Sequence, residues 1–440
     1  MPEGRRTTGE AAPTAFGRDL WLAFVSSLLF SLGLGLYYQL LNVYAIRNLG
    51  APRFMIGALV AIQLVMTALG YIPGAWASDH VRLKPIIVSV WWLTVPAALT
   101  FALAPSWPWL IPGYLLTGLY MANNPAFKVY IMLKSEPARV ARNISYVFAS
   151  FPMGLALGPL AGGWLASRYG MRLVFLIAVG FYVASSIVIS LLRDTPYHAA
   201  GRPWKLADLL GNAVFRRNLV FFFGGFLTVY LAQPFVQPYL SQVHHLGYSA
   251  LGVMAAIGAL GGSLITFAAG RAADLRGHRQ GIGLTIGSLL VGAILLLAGW
   301  APPVWALAVF FYGAFDSFRF VTAGIVSRSF GSVPPVWGYA VFDASMGVPA
   351  AAGALIGGAL YRAAYGLPFL AVIGLAVAIL AVLALAGRGR AAPAGDACPR
   401  PDKDRPAHPA GLPPTTAPAS RASALPSPSS ATLLENKETT

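Results

Sequence analysis

Long apolar runs separated by short polar connectors fill most of this chain. They fall at 20–46, 54–77, 85–104, 109–133, 143–167 and 173–192, then at 218–243, 249–273, 280–299, 303–327, 336–361 and 367–386. Each is about 20 residues or longer, the length a helix rising ~1.5 Å per residue needs to cross ~30 Å of hydrocarbon. The apolar positions are continuous rather than alternating, which argues against a membrane β-barrel. The pattern predicts an all-α membrane protein of twelve transmembrane helices. Residues 1–18 are polar, and the first apolar run is too long and too far from the Arg5–Arg6 pair for a cleaved leader, so it reads as helix 1. Within the polar connector 193–217, Trp204 to Phe215 has the pattern of an interfacial amphipathic helix. Residues 387–440 are rich in Pro, Ala, Ser and Thr without apolar periodicity and read as a disordered cytoplasmic tail.

Composition agrees with the pattern. Apolar residues make up 57% of 440 positions and charged ones 10%, with a mean hydropathy of +0.65, far beyond what a soluble domain buries. The net charge of +16 would suggest nucleic acid if it were one patch, but it sorts by connector. With the N-terminus inside, the inner segments hold 19 Lys and Arg, among them Arg18, Arg82, Lys84, Lys134, Arg193 and Arg279. The outer loops hold five: Arg47, Arg53, Arg168, Arg172 and Arg362. That asymmetry predicts both termini in the cytoplasm and no nucleic-acid partner. The lone cysteine, Cys398, excludes an intrachain disulfide and a cysteine-based metal site. No nucleophile elbow, metal-ligand cluster or phosphate loop is present, so the chain reads as neither an enzyme nor a cofactor protein.

The chain repeats. A shift of 195 residues superimposes Tyr44 on Tyr239, Gly57 on Gly252, Asp79 on Asp274 and Gly118 on Gly313. It also brings Gly158, Gly162 and Gly163 onto Gly353, Gly357 and Gly358. The domains follow: an N-terminal segment 1–18, a six-helix bundle 19–192, a central loop 193–217, a second bundle 218–386 and the tail 387–440. Six helices per half make the repeats parallel, related by an axis along the membrane normal. In helix 5, Gly154, Gly158 and Gly162 recur every four residues with Gly163 beside them, a bare face for close backbone approach, and Pro159 bends that helix.

These residues resemble the major facilitator superfamily over residues 15–386. Gly270-Arg-Ala-Ala-Asp274-Leu-Arg276-Gly277-His278-Arg279 looks like that family's loop signature between helices 8 and 9. Ala75-Trp-Ala-Ser-Asp79-His-Val-Arg82-Leu-Lys84 is a degenerate copy between helices 2 and 3 that has lost both glycines. The helix 5 stretch is similar to the glycine–proline signature of exporters that exchange drugs or metabolites for protons. The resemblance implies two bundles rocking about a central site and a monomeric chain in the plasma or inner membrane, handling a small molecule with protons. Asp79, Arg82, Asp274, Gly277 and Arg279 then form a conformational latch, with Asp79 facing the start of helix 11 near Val336 and Asp274 the start of helix 5 near Ile144.

Four charges fall inside the runs: Lys128 in helix 4, Asp316 and Arg319 in helix 10, and Asp343 in helix 11. Asp316 is ~18 Å from the inner end of its helix, Arg319 ~13 Å and Asp343 ~10 Å. Intramembrane charges are costly unless paired or hydrated and are functional candidates for that reason. Asp316 and Arg319 are three apart and suited to pairing, Asp343 competes for the same guanidinium, and all three are candidates for proton coupling. Lys128 is close enough to its helix end to snorkel. By resemblance, helices 1, 4, 7 and 10 surround the cavity, which assigns Tyr38, Gln39, Asn42, Asn123, Asn124, Lys128, Gln233, Gln237 and Ser317 to substrate. The helix 4 arginine usual in proton exporters is missing, and Tyr114 stands near its expected place. Proton-coupled export of drug-like or metabolite molecules is the leading expectation. An importer or facilitator of sugars or metabolites, or a non-transporting sensor on the same scaffold, is the alternative.

Overall fold

The computed structural model describes residues 17–121, 124–136, 139–195, 206–331 and 333–388. The expected polar N-terminal segment up to residue 16 and the tail beyond Arg388 lie outside the described residues. The elements, in order, are α1 (Arg18–Tyr37), α2 (Leu41–Arg47), α3 (Arg53–His80), α4 (Leu83–Leu103), α5 (Ile111–Met121), α6 (Asn124–Leu133), α7 (Val140–Tyr169), α8 (Met171–Ser190), α9 (Leu206–Gly211), α10 (Ala213–Ala232), α11 (Val236–Gln242), α12 (Tyr248–Arg276), α13 (His278–Ala298), α14 (Pro302–Tyr312), α15 (Phe315–Val326), α16 (Pro335–Ala363) and α17 (Leu367–Arg388). They combine into the expected order of spans. Eleven segments are long and apolar enough to cross a membrane. The fourth position is held by the shorter α5 and α6, which flank residues 122–123. Among the described residues no strand occurs.

The 195-residue repeat is written into the helix boundaries. Added to the limits of α1, α2 and α4, the offset reproduces those of α10, α11 and α13 residue for residue. Spans 1, 7 and 10 are interrupted: Tyr38–Leu40 separates α1 from α2, a short 3-10 turn at Gln233–Phe235 separates α10 from α11, and Gly313–Ala314 separates α14 from α15. The first two breaks also correspond under the offset. In lipid a backbone break is tolerated only where protein or a water-filled cavity satisfies it, so these helices are turned toward the interior.

The seventh span starts earlier than the apolar pattern suggests. Asn212 accepts hydrogen bonds from the amides of Val214 and Phe215, capping α10 at Ala213. Phe215 is accordingly buried inside the bundle, and the interfacial helix expected over Trp204–Phe215 reduces to α9, with residues 204 and 205 outside the described set. Gly277, the loop-signature glycine, turns α12 into α13 at φ 94°, a left-handed conformation suited to glycine. The equivalent position in the first half is Arg82, at φ −57° and ψ 136°. The degenerate copy lost its glycine because its turn has no need of one.

Small residues set the helix spacing. A side chain added at Gly35 of α1 would meet the Cα of Gly158 at 3.0 Å, and Gly154 and Gly162 of α7 face Ser31 and Leu36. The helix 5 glycine stripe therefore packs chiefly against α1 of its own half. Contact between the halves uses different glycines: Gly57 of α3 against Ala354 and Gly358 of α16, and Gly252 of α12 against Pro159 and Gly163 of α7. The offset carries one of these pairs onto the other. Each half then fills its interior with aromatic rings, Phe30, Trp91, Tyr120, Phe151 and Tyr182 in the first, and Phe222, Phe226, Phe318 and Phe342 in the second. Edge-on and offset ring pairs contribute about 0.5–1.5 kcal/mol each, a useful term where lipid removes the hydrophobic drive between helices.

Candidate functional site

Two sets of polar contacts cross between the halves. The first is deep in the spans. Arg319 of α15 donates to the Tyr71 hydroxyl of α3 in the other half, and its guanidinium lies 3.5 Å from Asp343 of α16. Tyr71, Ala75 and Ala340 form a small apolar cluster beside this contact, with Val336 and Trp337 at its edge. Lys128 of α6 completes the group: its Nζ lies 5.8 Å from the centre of the Phe148 ring and 5.7 Å from that of Tyr339, distances at which a cation is attracted to the ring face. Three spans from the two halves thus place Arg319, Asp343 and Tyr71 together, and a fourth supplies Lys128.

These charges are not sealed. The Arg319 side chain keeps 37% of its surface and Asp343 21%, and Lys128 is exposed, although all three lie roughly 9–13 Å from the helix ends. A partly exposed ion pair is held less tightly than a fully buried one and can exchange partners. Asp316 sits one turn before Arg319 in α15, but its side chain lies outside the described residues.

The second set closes the face carrying the 47–53 and 243–248 connectors. Asn42 accepts from the Tyr114 hydroxyl at 2.7 Å and donates to the Pro234 carbonyl at 3.0 Å, within the interruption of span 7. Arg47 donates to the Ser241 carbonyl at 2.8 Å, and the Tyr248 hydroxyl donates to Asn48 at 2.6 Å. Arg53 lies over the Tyr365 ring at 4.1 Å. In the four of these that cross between the halves, the first half supplies the cation or amide and the second half the carbonyl, hydroxyl or ring. Beneath them, Gln237 is buried with Oε1 lacking a hydrogen-bond partner. Gln237 is the counterpart of Asn42 under the offset, so matching amides of the two halves occupy this layer. Just outside it His244 packs on Trp305, with ring centres 4.3 Å apart. Burial and the neighbouring His245 hold its pKa below the ordinary 6.5.

The remaining residues singled out by sequence are placed as follows. Tyr38 and Gln39 lie in the break of span 1, where the Tyr38 hydroxyl accepts from Gln63 at 3.4 Å. Gln233 opens the break of span 7. Asn123 and the side chain of Asn124 lie outside the described residues. Ser317, expected in the cavity, is fully buried and bonded to Thr266 at 2.6 Å. It stands two positions from Arg319, roughly 200° around the helix, and so faces α12. Of the expected latch residues, the Asp79 side chain lies outside the described set and Asp274 is exposed at the end of α12. Arg82 pairs with Asp194 at 2.8 Å and Arg279 donates to the Leu383 carbonyl at 2.6 Å, both within their own halves. Sequence reasoning missed Tyr71, a lone mid-span tyrosine with no pattern to mark it, and the capping cations Arg47 and Arg53, which it counted only as loop charge.

A sequence profile described as Major Facilitator Superfamily matches residues 23–336. Among similar curated proteins, "Multidrug resistance protein MdtG" of Klebsiella pneumoniae is 26% identical over 188 residues, 41% of this chain and 45% of that protein. "Multidrug resistance protein MdtH" of Blochmanniella floridana is 26% identical over 168 residues, 37% and 41% of the two chains. The matched stretch spans less than half the length of these relatives. In fold, the chain is similar to the nucleoside transporter NupG, with a TM-score of 0.69 at 13% identity, covering 84% of this chain and 99% of that one. It is also similar to the human organic anion transporter MFSD10, with a TM-score of 0.59 at 17% identity, covering 83% and 99%.

Proposed function

Since this chain belongs to the Major Facilitator Superfamily, a family of transporters rather than enzymes, we propose that it is a secondary active exporter that moves small drug-like or metabolite molecules against a proton flow by alternating access. The observation that carries this reading is the Arg319–Asp343 pair, tied through Tyr71 to the opposite half and only partly buried. The excess of Lys and Arg on one set of connectors makes that set cytoplasmic. The layer from Asn42 to Arg53 is then the closed outer gate, and access to Arg319 and Asp343 lies on the cytoplasmic side. Two curated relatives named as multidrug resistance proteins favour export.

The chemistry follows from competition for one guanidinium. With Asp343 ionised, Arg319 is shared between its carboxylate and the Tyr71 hydroxyl, so the charge state of the acid is felt across the seam. When the outer gate opens, protonation of Asp343, or of Asp316 one turn away, releases the arginine and weakens the hold on cargo. Return to the cytoplasmic side discharges the proton and restores the pair. Lys128, with Phe148 and Tyr339, offers a flat amphipathic substrate both a charge and ring faces. Tyr38, Gln39, Asn42, Asn123, Asn124, Gln233 and Gln237 supply polar contacts, and Asp79 and Asp274 latch the cytoplasmic ends when those close.

The test is transport in proteoliposomes under an imposed pH gradient, over a panel of amphipathic compounds. Asp343→Asn and Asp316→Asn are each expected to abolish gradient-driven accumulation while leaving downhill exchange. Gradient-driven flux that survives in both variants rules the coupling scheme out.

A further inference from the structure

A charged corner at the start of α1 has no part in the exchange cycle. Asp19 in the first turn of α1 is only 9% exposed, and its Oδ2 holds Lys134 Nζ at 2.9 Å. Its Oδ1 is buried without a hydrogen-bond partner. The Lys134 ammonium also lies 5.5 Å from the Tyr130 ring centre, and the Tyr130 hydroxyl donates to the Arg193 carbonyl at 2.8 Å. Arg18, Asp19, Lys134 and Arg193, with Gly17 and Leu20, line an open cavity of about 140 Å³. Gly17 gives α1 no side-chain cap, so the positive end of the helix faces the same space. Trp21 is exposed one turn further along, where an indole marks the boundary between hydrocarbon and headgroups.

The other half provides an internal control. Under the 195-residue offset Asp19 becomes Val214 and Lys134 becomes Ser329. That corner is closed by the Asn212 amide donating to the Ser329 carbonyl at 2.9 Å, with Leu209 and Phe215 buried against it. Closing the end of a six-helix bundle therefore requires neither a cavity nor charges. In the first corner three cations face one carboxylate, half of which lacks a donor.

We propose that this corner binds the headgroup of an anionic phospholipid of the phosphatidylglycerol type. The phosphate sits among Arg18, Lys134 and Arg193, and a headgroup hydroxyl supplies the donor that Asp19 Oδ1 lacks. Asp19 holds the Lys134 ammonium at the site and adds selectivity for a headgroup that can donate. The inference does not depend on transport direction or coupling.

Native mass spectrometry of the full-length protein in detergent, titrated with phosphatidylglycerol or phosphatidylcholine, tests it. Phosphatidylglycerol is expected to be retained at lower concentration. The Arg18→Gln/Arg193→Gln double variant changes only exposed side chains and leaves the Asp19–Lys134 pair intact. At about fivefold per basic group near a membrane surface, it should lose roughly 30-fold in phosphatidylglycerol affinity and retain its affinity for phosphatidylcholine. Equal retention of the two lipids by the unaltered protein, or an unchanged preference in the double variant, overturns the proposal. Displacement of phosphatidylglycerol by millimolar inorganic phosphate also overturns it, because the site then serves free phosphate.

Discussion

Position 319 shows how far a single residue could be read. An arginine deep in an apolar run, three residues after an aspartate, announces itself in sequence because an unpaired charge there is costly. Its cross-half partner does not, since Tyr71 is one tyrosine among 18 and only the fold brings α3 against α15. Two changes at this pair separate geometry from charge. Tyr71→Phe removes one acceptor from a guanidinium that keeps Asp343, and transport is expected to slow several-fold without losing its dependence on the gradient. Arg319→Lys keeps the charge but not the planar guanidinium whose Nη2 meets both partners, and should abolish gradient-driven flux. Both are read in the same vesicle assay. His244 carries a prediction outside the spans. Its pKa lies below 6.5, so the folded loop resists a proton that the opened loop accepts. The stability this contributes is present above about pH 6.5 and falls away as the pH drops toward the lowered value. Hydrogen exchange over residues 243–247, corrected for intrinsic rate, should accelerate between pH 7.5 and 5.5, and His244→Gln should flatten that response.

At the scale of elements, the apolar runs were readable to within a few residues because a lipid-spanning helix leaves little freedom of length or composition. The start of α10 was not, because Asn212 fixes it through a local cap that hydropathy does not register. The glycines divide in the same way. Their recurrence in α7 marks close packing, yet sequence cannot say that Gly154 and Gly158 face α1 while Gly163 faces α12, since neighbouring positions on one helix address different partners. Gly277 has a single conformational job. Gly277→Ala is expected to lower stability by about 1 kcal/mol from strain at its positive φ, visible as an earlier thermal transition in micelles. Arg82→Gly, at the counterpart turn, should bring no gain.

For the whole molecule, the repeat was legible because both halves kept the same spacing, and it extends to helix ends that no residue identity reveals. The polar layer proposed as the outer gate was not legible, because two of its four cross-half contacts end on backbone carbonyls, which leave no trace in sequence, and the other two join residues some 200 to 300 positions apart. Removing its cations tests the working cycle. In a Cys398→Ser background, a cysteine placed at Gln237 should react with an impermeant maleimide from outside roughly fivefold faster in an Arg47→Ala/Arg53→Ala variant, each lost contact shifting the population by about two- to threefold. An unchanged rate would mean that these residues do not hold the gate.

The matched approaches of Gly57 to Gly358 and of Gly163 to Gly252 also bear on assembly. Because the mating surfaces are self-contained and related by the repeat, two separately translated polypeptides ending and restarting between Thr195 and Leu206 should dock in the bilayer and recover vesicle uptake. A gene cut at that point would encode a working heterodimer, the arrangement from which duplication and fusion can produce a chain of this kind.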